Sequence, residues 1–193
     1  MGVTIVRCIK QIIVWLYNRQ QDFVLKVKIW KIQLDPNIVM NKSVRIRHST
    51  ILDTRYGGKI SIGKNTELLE DVKILTYGGN IEIGEFCSIN PGTIIYGHGN
   101  TQIGNNVLIA GGCMIIPANH IFTDISKNIN SQGIEVKPIV IEDNVWIAHG
   151  CSILAGVNIK KGSVVAAGSV VNKSYPENSI IGGVPAKIIK SIK

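Results

Sequence analysis

Aliphatic residues return at every sixth position along most of this chain. The beat runs through Ile62, Leu68 and Ile74, then Ile83, Ile89 and Ile95, then Ile103, Ile109 and Ile115. It resumes at Ile141 and continues through Ile147, Ile153, Ile159, Val165 and Val171. An α-helix repeats every 3.6 residues and a half-buried strand every two, so neither element alone requires a step of six. A solenoid whose coil has three short flat sides does require it. Each side then lends one aliphatic residue to a stacked interior column.

A second regularity sits four residues after the aliphatic, where the chain places Thr66, Thr93, Val107, Val145, Val157, Ser163 and Ser169. Cys87, Cys113 and Cys151 share that phase. They are expected inside the coil as small apolar residues, and not as nucleophiles or metal ligands. The residue directly after the aliphatic is often Gly, Ala or Glu, as at Gly63, Gly84, Gly104, Ala110, Glu142, Ala148 and Ala166. These are read as corners that tolerate unusual backbone angles. The repeated hexad, [LIV]-G-x-x-[STAV]-x, predicts an all-β solenoid, a left-handed parallel β-helix, over residues 36–181, with a short tail at 182–193.

The beat fails in two places. Residues 1–35 mix helix-like spacing (Val6, Ile9, Ile13, Leu16) with basic residues. They predict an amphipathic helix that caps the open end of the solenoid. A second reading lays residues 1–30 in a membrane interface. The other interruption is "IIPANHIFTD", residues 115–124, which opens a projecting loop over about 118–138 and carries His120.

Composition narrows the picture only a little. The 193 residues allow one domain with a small appendage. The net charge of +8 is spread along the chain without a long lysine block. It favours anionic partners such as phosphates, acidic sugars or a membrane surface without choosing among them, and nucleic acid is not expected. Four cysteines without CxxC spacing, the absence of a cleavage site after the first segment, and Arg7, Lys10 and Arg19 within that segment predict a cytoplasmic protein. Val6 stands where a myristoylation signal wants Ser or Thr.

Between about residues 60 and 190 the chain resembles the hexapeptide-repeat acyltransferases, and among them the bacterial sugar and polysaccharide O-acetyltransferases and the galactoside and maltose acetyltransferases. "VWI" at 145–147, "AGSVV" at 167–171 and "GGVPAK" at 182–187 carry the resemblance in that order, with "GIEVKPIVIEDNVWI" the most distinctive stretch. The resemblance implies a homotrimer that uses acetyl-CoA and a saccharide acceptor. It implies that His120 is the catalytic base and that Asn90 meets the reacting groups. Trp146 is a further substrate-site candidate, read as packing against the loop or the pantetheine arm, with core packing the other reading. It places coenzyme A against His149, Ala167, Asn172, Lys173, Lys187 and Lys190. Ala148, Lys160-Lys161 and His149 depart from the family's usual residues.

Acyl transfer to a hydroxyl needs a base for the hydroxyl proton and donors for the developing oxyanion. An imidazole, with an ordinary pKa near 6.5, suits the first task, and Asn90 with nearby N–H groups suits the second. Asp124 is a candidate to orient His120. His98 is expected in a turn and His48 on an early coil face. Two other enzyme readings remain, N-acetylation of an amino sugar or nucleotide sugar, and acetylation of a xenobiotic. A zinc hydratase on the same fold is disfavoured, because the histidines at 48, 98, 120 and 149 contain no H-x4-H pair. No metal is expected.

Overall fold

The computed structural model describes residues 2–193, apart from the side chains of residues 2–6, 8, 9 and 18, so Cys8 and the apolar positions Val6 and Ile9 lie outside the described side chains. The chain divides into two compact units, the first ending at Pro36 and the second spanning Asn37–Lys193. The first unit is one α-helix, Gly2–Gln33. A proline disfavours helical backbone at the residue before it, and Asp35-Pro36 follows the helix end after Leu34 alone.

The second unit is a parallel β-solenoid built from strands of two or three residues. Its first face stacks Ile38–Met40, Ile60–Ile62, Ile81–Ile83, Thr101–Ile103, Ile139–Ile141 and Asn158–Ile159. The second face begins with Arg45–Ile46 and climbs through Glu67–Leu68, Ser88–Ile89, Leu108–Ile109, Trp146–Ile147 and Val164–Val165 to Ser179–Gly183. The third stacks Ile51–Asp53, Lys73–Leu75, Ile94–Tyr96, Met114–Ile116, Ser152–Leu154 and Val170–Val171. Neighbouring coils pair in register, so Ile83 lies beside Ile103 and Ile103 beside Ile141. This is the architecture expected of a left-handed β-helix.

Every aliphatic of the six-residue beat is buried, and Leu68, Ile74, Ile89, Ile95, Ile109, Ile115, Ile141, Ile147 and Ile153 have no measurable exposure. Burial of such a side chain stabilises the fold by roughly 1.5–3 kcal/mol, so the three columns carry most of the fold's stability. The small inward residues are buried too, and several donate to the next coil. Thr66 Oγ1 donates to Gly84 O at 2.8 Å and Thr93 Oγ1 to Ala110 O at 2.9 Å. Cys87 Sγ, Cys113 Sγ and Cys151 Sγ do the same towards Gly104 O, Ala148 O and Ala166 O at 3.1, 3.2 and 3.1 Å. The cysteines thus stand in for threonine at one crowded interior position, and burial pushes the Cys87 thiol up.

The corner assignment needs correction. Gly63, Gly84 and Gly104 do not adopt positive φ. They are small because the coils touch there: a Cβ on Gly63 would lie 2.7 Å from the Gly84 carbonyl carbon, and one on Gly84 would lie 2.5 Å from Gly104 O. The left-handed residues come two places later, at Asn65, Asp71, Phe86, Asn106 and Asn144, and at Gly92, Gly112, Gly150, Gly156, Gly162 and Gly168. Asn, Asp and Gly tolerate that conformation best, which accounts for most of this set.

Two excursions leave the coil. Residues expected to form a loop at 118–138 contain a two-stranded antiparallel hairpin, Ala118–His120 against Ile134–Val136, with a 3₁₀ turn at Ile129–Ser131. At the C-terminal end, Ser179–Gly183 runs through the boundary expected after residue 181. Ala186–Ser191 then folds back antiparallel on it and completes the second face. Among the described residues no helix is long and apolar enough to cross a membrane.

Candidate active site

Pro117, with no N–H for a coil ladder, opens the hairpin where the third face would turn into the first. The hairpin's base presses on the coil below: a Cβ on Gly99 would lie 2.6 Å from Pro117 O and 2.9 Å from Lys137 N. Lys137 N donates back to Pro117 O at 3.1 Å, which closes the base. Further out, Gln132 clasps the tip. Its Nε2 donates to Asp124 O at 3.0 Å while its Oε1 accepts from Asp124 N at 3.1 Å. A rigid arm follows from these bonds although its side chains contribute little to the core.

His120 sits on this arm opposite Ile134, exposed, and its imidazole makes no hydrogen bond or ion pair among the described residues. Asn119, Ile121, Phe122, Thr123 and Glu135 line an open cleft of about 740 Å³ with it. Asp124 does not orient the imidazole. Its Oδ1 accepts from Ser126 N and Oγ at 3.0 and 2.6 Å, and its Oδ2 pairs with Lys127 Nζ at 2.9 Å. The Ser126 hydroxyl first, then Lys127, hold that carboxyl below its ordinary value. Phe122 and Glu135 were not anticipated from sequence. An aromatic residue two places after the histidine in a polar stretch was the available signal for Phe122, whereas Glu135 enters only through strand pairing.

Asn90 lies at a different edge, where the second face turns into the third. Its Nδ2 donates to Ile109 O at 2.9 Å, which fixes the side chain against the next coil. The same edge carries Gly112, His149-Gly150 and Ala167-Gly168, tied by Gly150 N to Gly111 O at 3.1 Å and Gly168 N to His149 O at 2.8 Å. His149 lays its ring over Gly112, where a Cβ would come within 3.2 Å of Cε1. At Gly150 and Gly168 an added Cβ would meet nothing within 4 Å. The result is an open shelf of bare backbone beside one imidazole. The tail reaches it, since a Cβ on Gly182 would touch the Ala166 Cβ at 2.9 Å and Lys187 pairs with Gly182.

The remaining candidates are dispersed. Lys190 pairs with Ile180, further along the same hairpin. Asn172 and Lys173 lie at the end of the third face, both exposed. Lys173 Nζ stands 5.6 Å from the Tyr175 ring centroid, and the Tyr175 hydroxyl donates to Ala186 O, which links that turn to the tail. Trp146 projects from the second face between Leu108 and Val164 and is 51% exposed, so it is not a core residue. His98 stacks on Tyr77 at 4.8 Å in a ladder with Tyr56, outside the cleft, and burial holds its imidazole below the ordinary value. His48 is exposed on an early coil. Among the described residues no group of three or more His, Cys, Asp or Glu is placed to hold a metal ion.

The geometry meets known proteins at several points. The family described as bacterial transferase hexapeptide (six repeats) matches residues 138–173. A Saccharomyces cerevisiae chain named as an acetyltransferase, YJL218W, is 44% identical over 60% of this chain, which spans 58% of that relative's length. An Escherichia coli K12 chain named for acetylation in colanic acid biosynthesis, WcaF, is 30% identical, and the match covers 86% of this chain and 87% of the relative. Among solved structures, a hexapeptide-repeat acetyltransferase from Vibrio cholerae, VCA0836, in complex with acetyl-CoA is similar with a TM-score of 0.52. It is 25% identical, with 91% of this chain and 88% of that chain covered.

Proposed function

This chain belongs to the bacterial hexapeptide transferases, and from that premise we propose that it transfers an acetyl group from acetyl-CoA to a hydroxyl of a saccharide in polysaccharide synthesis. The observation that carries the proposal is His120, an unpartnered imidazole on the arm that interrupts the coil, facing an open cleft. A hydroxyl is a poor nucleophile at neutral pH unless a base removes its proton as it attacks, and an imidazole is suited to that task. Such a base would serve an amine as well, so the choice of a hydroxyl rests on the similarity to chains named for O-acetyl transfer to galactosides and in lipopolysaccharide biosynthesis. The E. coli relative named for colanic acid biosynthesis supports a saccharide acceptor.

Coenzyme A fits the shelf. Bare backbone at Gly150 and Gly168 leaves room for a slender chain beside His149 and Ala167. Lys187, exposed and paired with Gly182 beside the shelf, is assigned to the phosphates together with Lys190, Lys173 and Asn172. The thioester supplies the activated acetyl group. His120 takes the proton of the acceptor hydroxyl as that oxygen attacks the acyl carbon, and returns it to the departing thiolate sulfur. Asn90, with Trp146 on the adjoining face, is assigned to positioning the reacting groups.

His120 and Asn90 lie at different edges of one chain, so one chain offers half a site at each edge. The proposal accordingly includes a homotrimer in which one subunit's hairpin edge meets its neighbour's shelf. Incubation with acetyl-CoA and a panel of oligosaccharides and nucleotide sugars, read by mass spectrometry, tests it. The expected product carries one acetyl group that alkali removes. An alkali-stable amide would assign N-acetylation instead, and an active monomer in sedimentation would remove the shared site.

A further inference from the structure

The helix Gly2–Gln33 plays no part in the chemistry above, yet it presents an unusual surface. At 100° per residue, Ile12, Leu16, Phe23 and Trp30 fall within about 40° of arc and form one stripe along the helix, which the exposed Ile13, Val24 and Tyr17 widen to about 140°. The exposures of the first four are 57, 54, 68 and 58%. Arg19 and Lys26 border those four on one side and Lys31 on the other, all three exposed. Arg7 and Lys10 are exposed as well, and Asp22 is the helix's single acidic residue.

Two kinds of occupant could cover such a stripe, and charge separates them. Helices from further copies of this chain, packed around a common axis, would bring like charges at the stripe's borders together, with Asp22 as their single acidic counterpart, and that arrangement is repulsive. A surface of anionic phospholipid is complementary. Apolar side chains enter the boundary between headgroups and acyl chains, while Arg and Lys extend their stems and leave their charges among the phosphates. Tryptophan, here Trp15 and Trp30, is favoured at that depth. Each cation near such a surface contributes about 1 kcal/mol. We propose that Gly2–Gln33 is an interfacial helix that holds the protein on an anionic phospholipid bilayer, its Ile12–Leu16–Phe23–Trp30 stripe inserted and its bordering cations on the headgroups.

The test uses the full chain and vesicles of phosphatidylcholine with or without about a third phosphatidylglycerol, an anionic fraction sufficient to attract basic segments. The chain is expected to float with the anionic vesicles, to leave them at high salt, and to show a blue shift in tryptophan emission on binding. Replacing Lys26 and Lys31 by Gln should weaken partitioning about fivefold for each cation removed. Phe23→Glu, at an exposed position, should abolish binding while far-UV circular dichroism stays unchanged, and Trp30→Gln provides a second variant should Phe23→Glu lose helix. A wild-type chain that ignores anionic vesicles overturns the proposal, as does a folded stripe variant that still binds them. A stripe variant that changes the oligomeric state in the absence of lipid also overturns it and assigns the stripe to contacts between copies.

Discussion

The coil that ends at Ile116 and the hairpin that follows it use similar side chains to opposite ends. In the coil Ile103, Ile109 and Ile115 are buried to 2% exposure or less. In the hairpin Ile125 is fully exposed, and Phe122, Ile129 and Ile134 are open to solvent. The coil is held by columns of apolar contact, the hairpin by its short antiparallel ladder and a few further bonds, among them those of Lys137 to Pro117 and of Gln132 to Asp124. Stability and reactivity are therefore separated along the chain. Side chains in the columns determine whether the protein folds, and side chains on the arm are free to meet a substrate.

That separation can be broken most directly at His120. His120→Ala is expected to lower kcat by on the order of 10²–10⁴, the usual share of general acid–base catalysis, while the melting temperature stays within error of the parent. Steady-state kinetics beside calorimetry checks both halves. Full turnover in the variant would place the base elsewhere. Ile109→Ala is the mirror image. It removes a fully buried column residue and should cost about 2–5 kcal/mol in denaturant unfolding, with little effect on kcat in the fraction that remains folded.

The two regions were also unequally legible in the sequence. The columns could be read because each coil repeats the same environment, so a buried Ile at one position forecasts another six residues on. Cys87, Cys113 and Cys151 followed from that phase alone. The glycines misled where the same spacing has two physical causes. Gly63 and Gly84 are small because the next coil's backbone lies within 3 Å of where a side chain would begin, and not because the chain turns there. The hairpin was legible only as a break. Three-residue strands with exposed side chains leave no periodic signature, and the pairing of His120 with Ile134 depends on a connection of thirteen residues, 121–133. Asn90 and His149 were named from family resemblance, and no single-sequence rule would have put them on an edge away from His120.

The corrected turn position gives a smaller and more specific prediction. Asn106 holds φ at 57°, a conformation that a β-branched side chain resists by roughly 1–2 kcal/mol. Asn106→Val should lose about that much stability, whereas Asn106→Gly should be close to neutral. If both behave alike, the left-handed turn is not what selects this residue. On the shelf, Lys187→Glu should raise KM for acetyl-CoA several-fold and largely spare kcat, the pattern of lost uniform binding. The defect should shrink with the 3′-dephospho form of the thioester if Lys187 meets that phosphate. Equal losses with the two thioesters would remove Lys187 from the 3′-phosphate.

The smallest effects come from ion pairs, one in each region. In the coil wall Glu142 accepts from Lys160 Nζ at 2.9 Å, Lys161 N at 3.0 Å and Asn158 Nδ2 at 3.2 Å. The Lys160 contact first, then the Lys161 N–H, hold its carboxyl below the ordinary 4.5. A carboxylate depressed in the folded state stabilises the fold above its unfolded value and loses that contribution as pH falls through the folded one. Glu142→Gln should therefore lower the melting temperature slightly near neutral pH, and the gap from the parent should close below about pH 4.5, since exposed pairs contribute about 1 kcal/mol at most. Asp124 is depressed in the same direction, but it braces only the arm. Asp124→Asn should leave global melting unchanged at every pH and loosen the hairpin tip alone, visible as faster amide exchange at Ser126 and Lys127. A pH-dependent melting defect in Asp124→Asn would mean that arm and coil unfold as one unit, and the separation of stability from reactivity would then fail at its weakest joint.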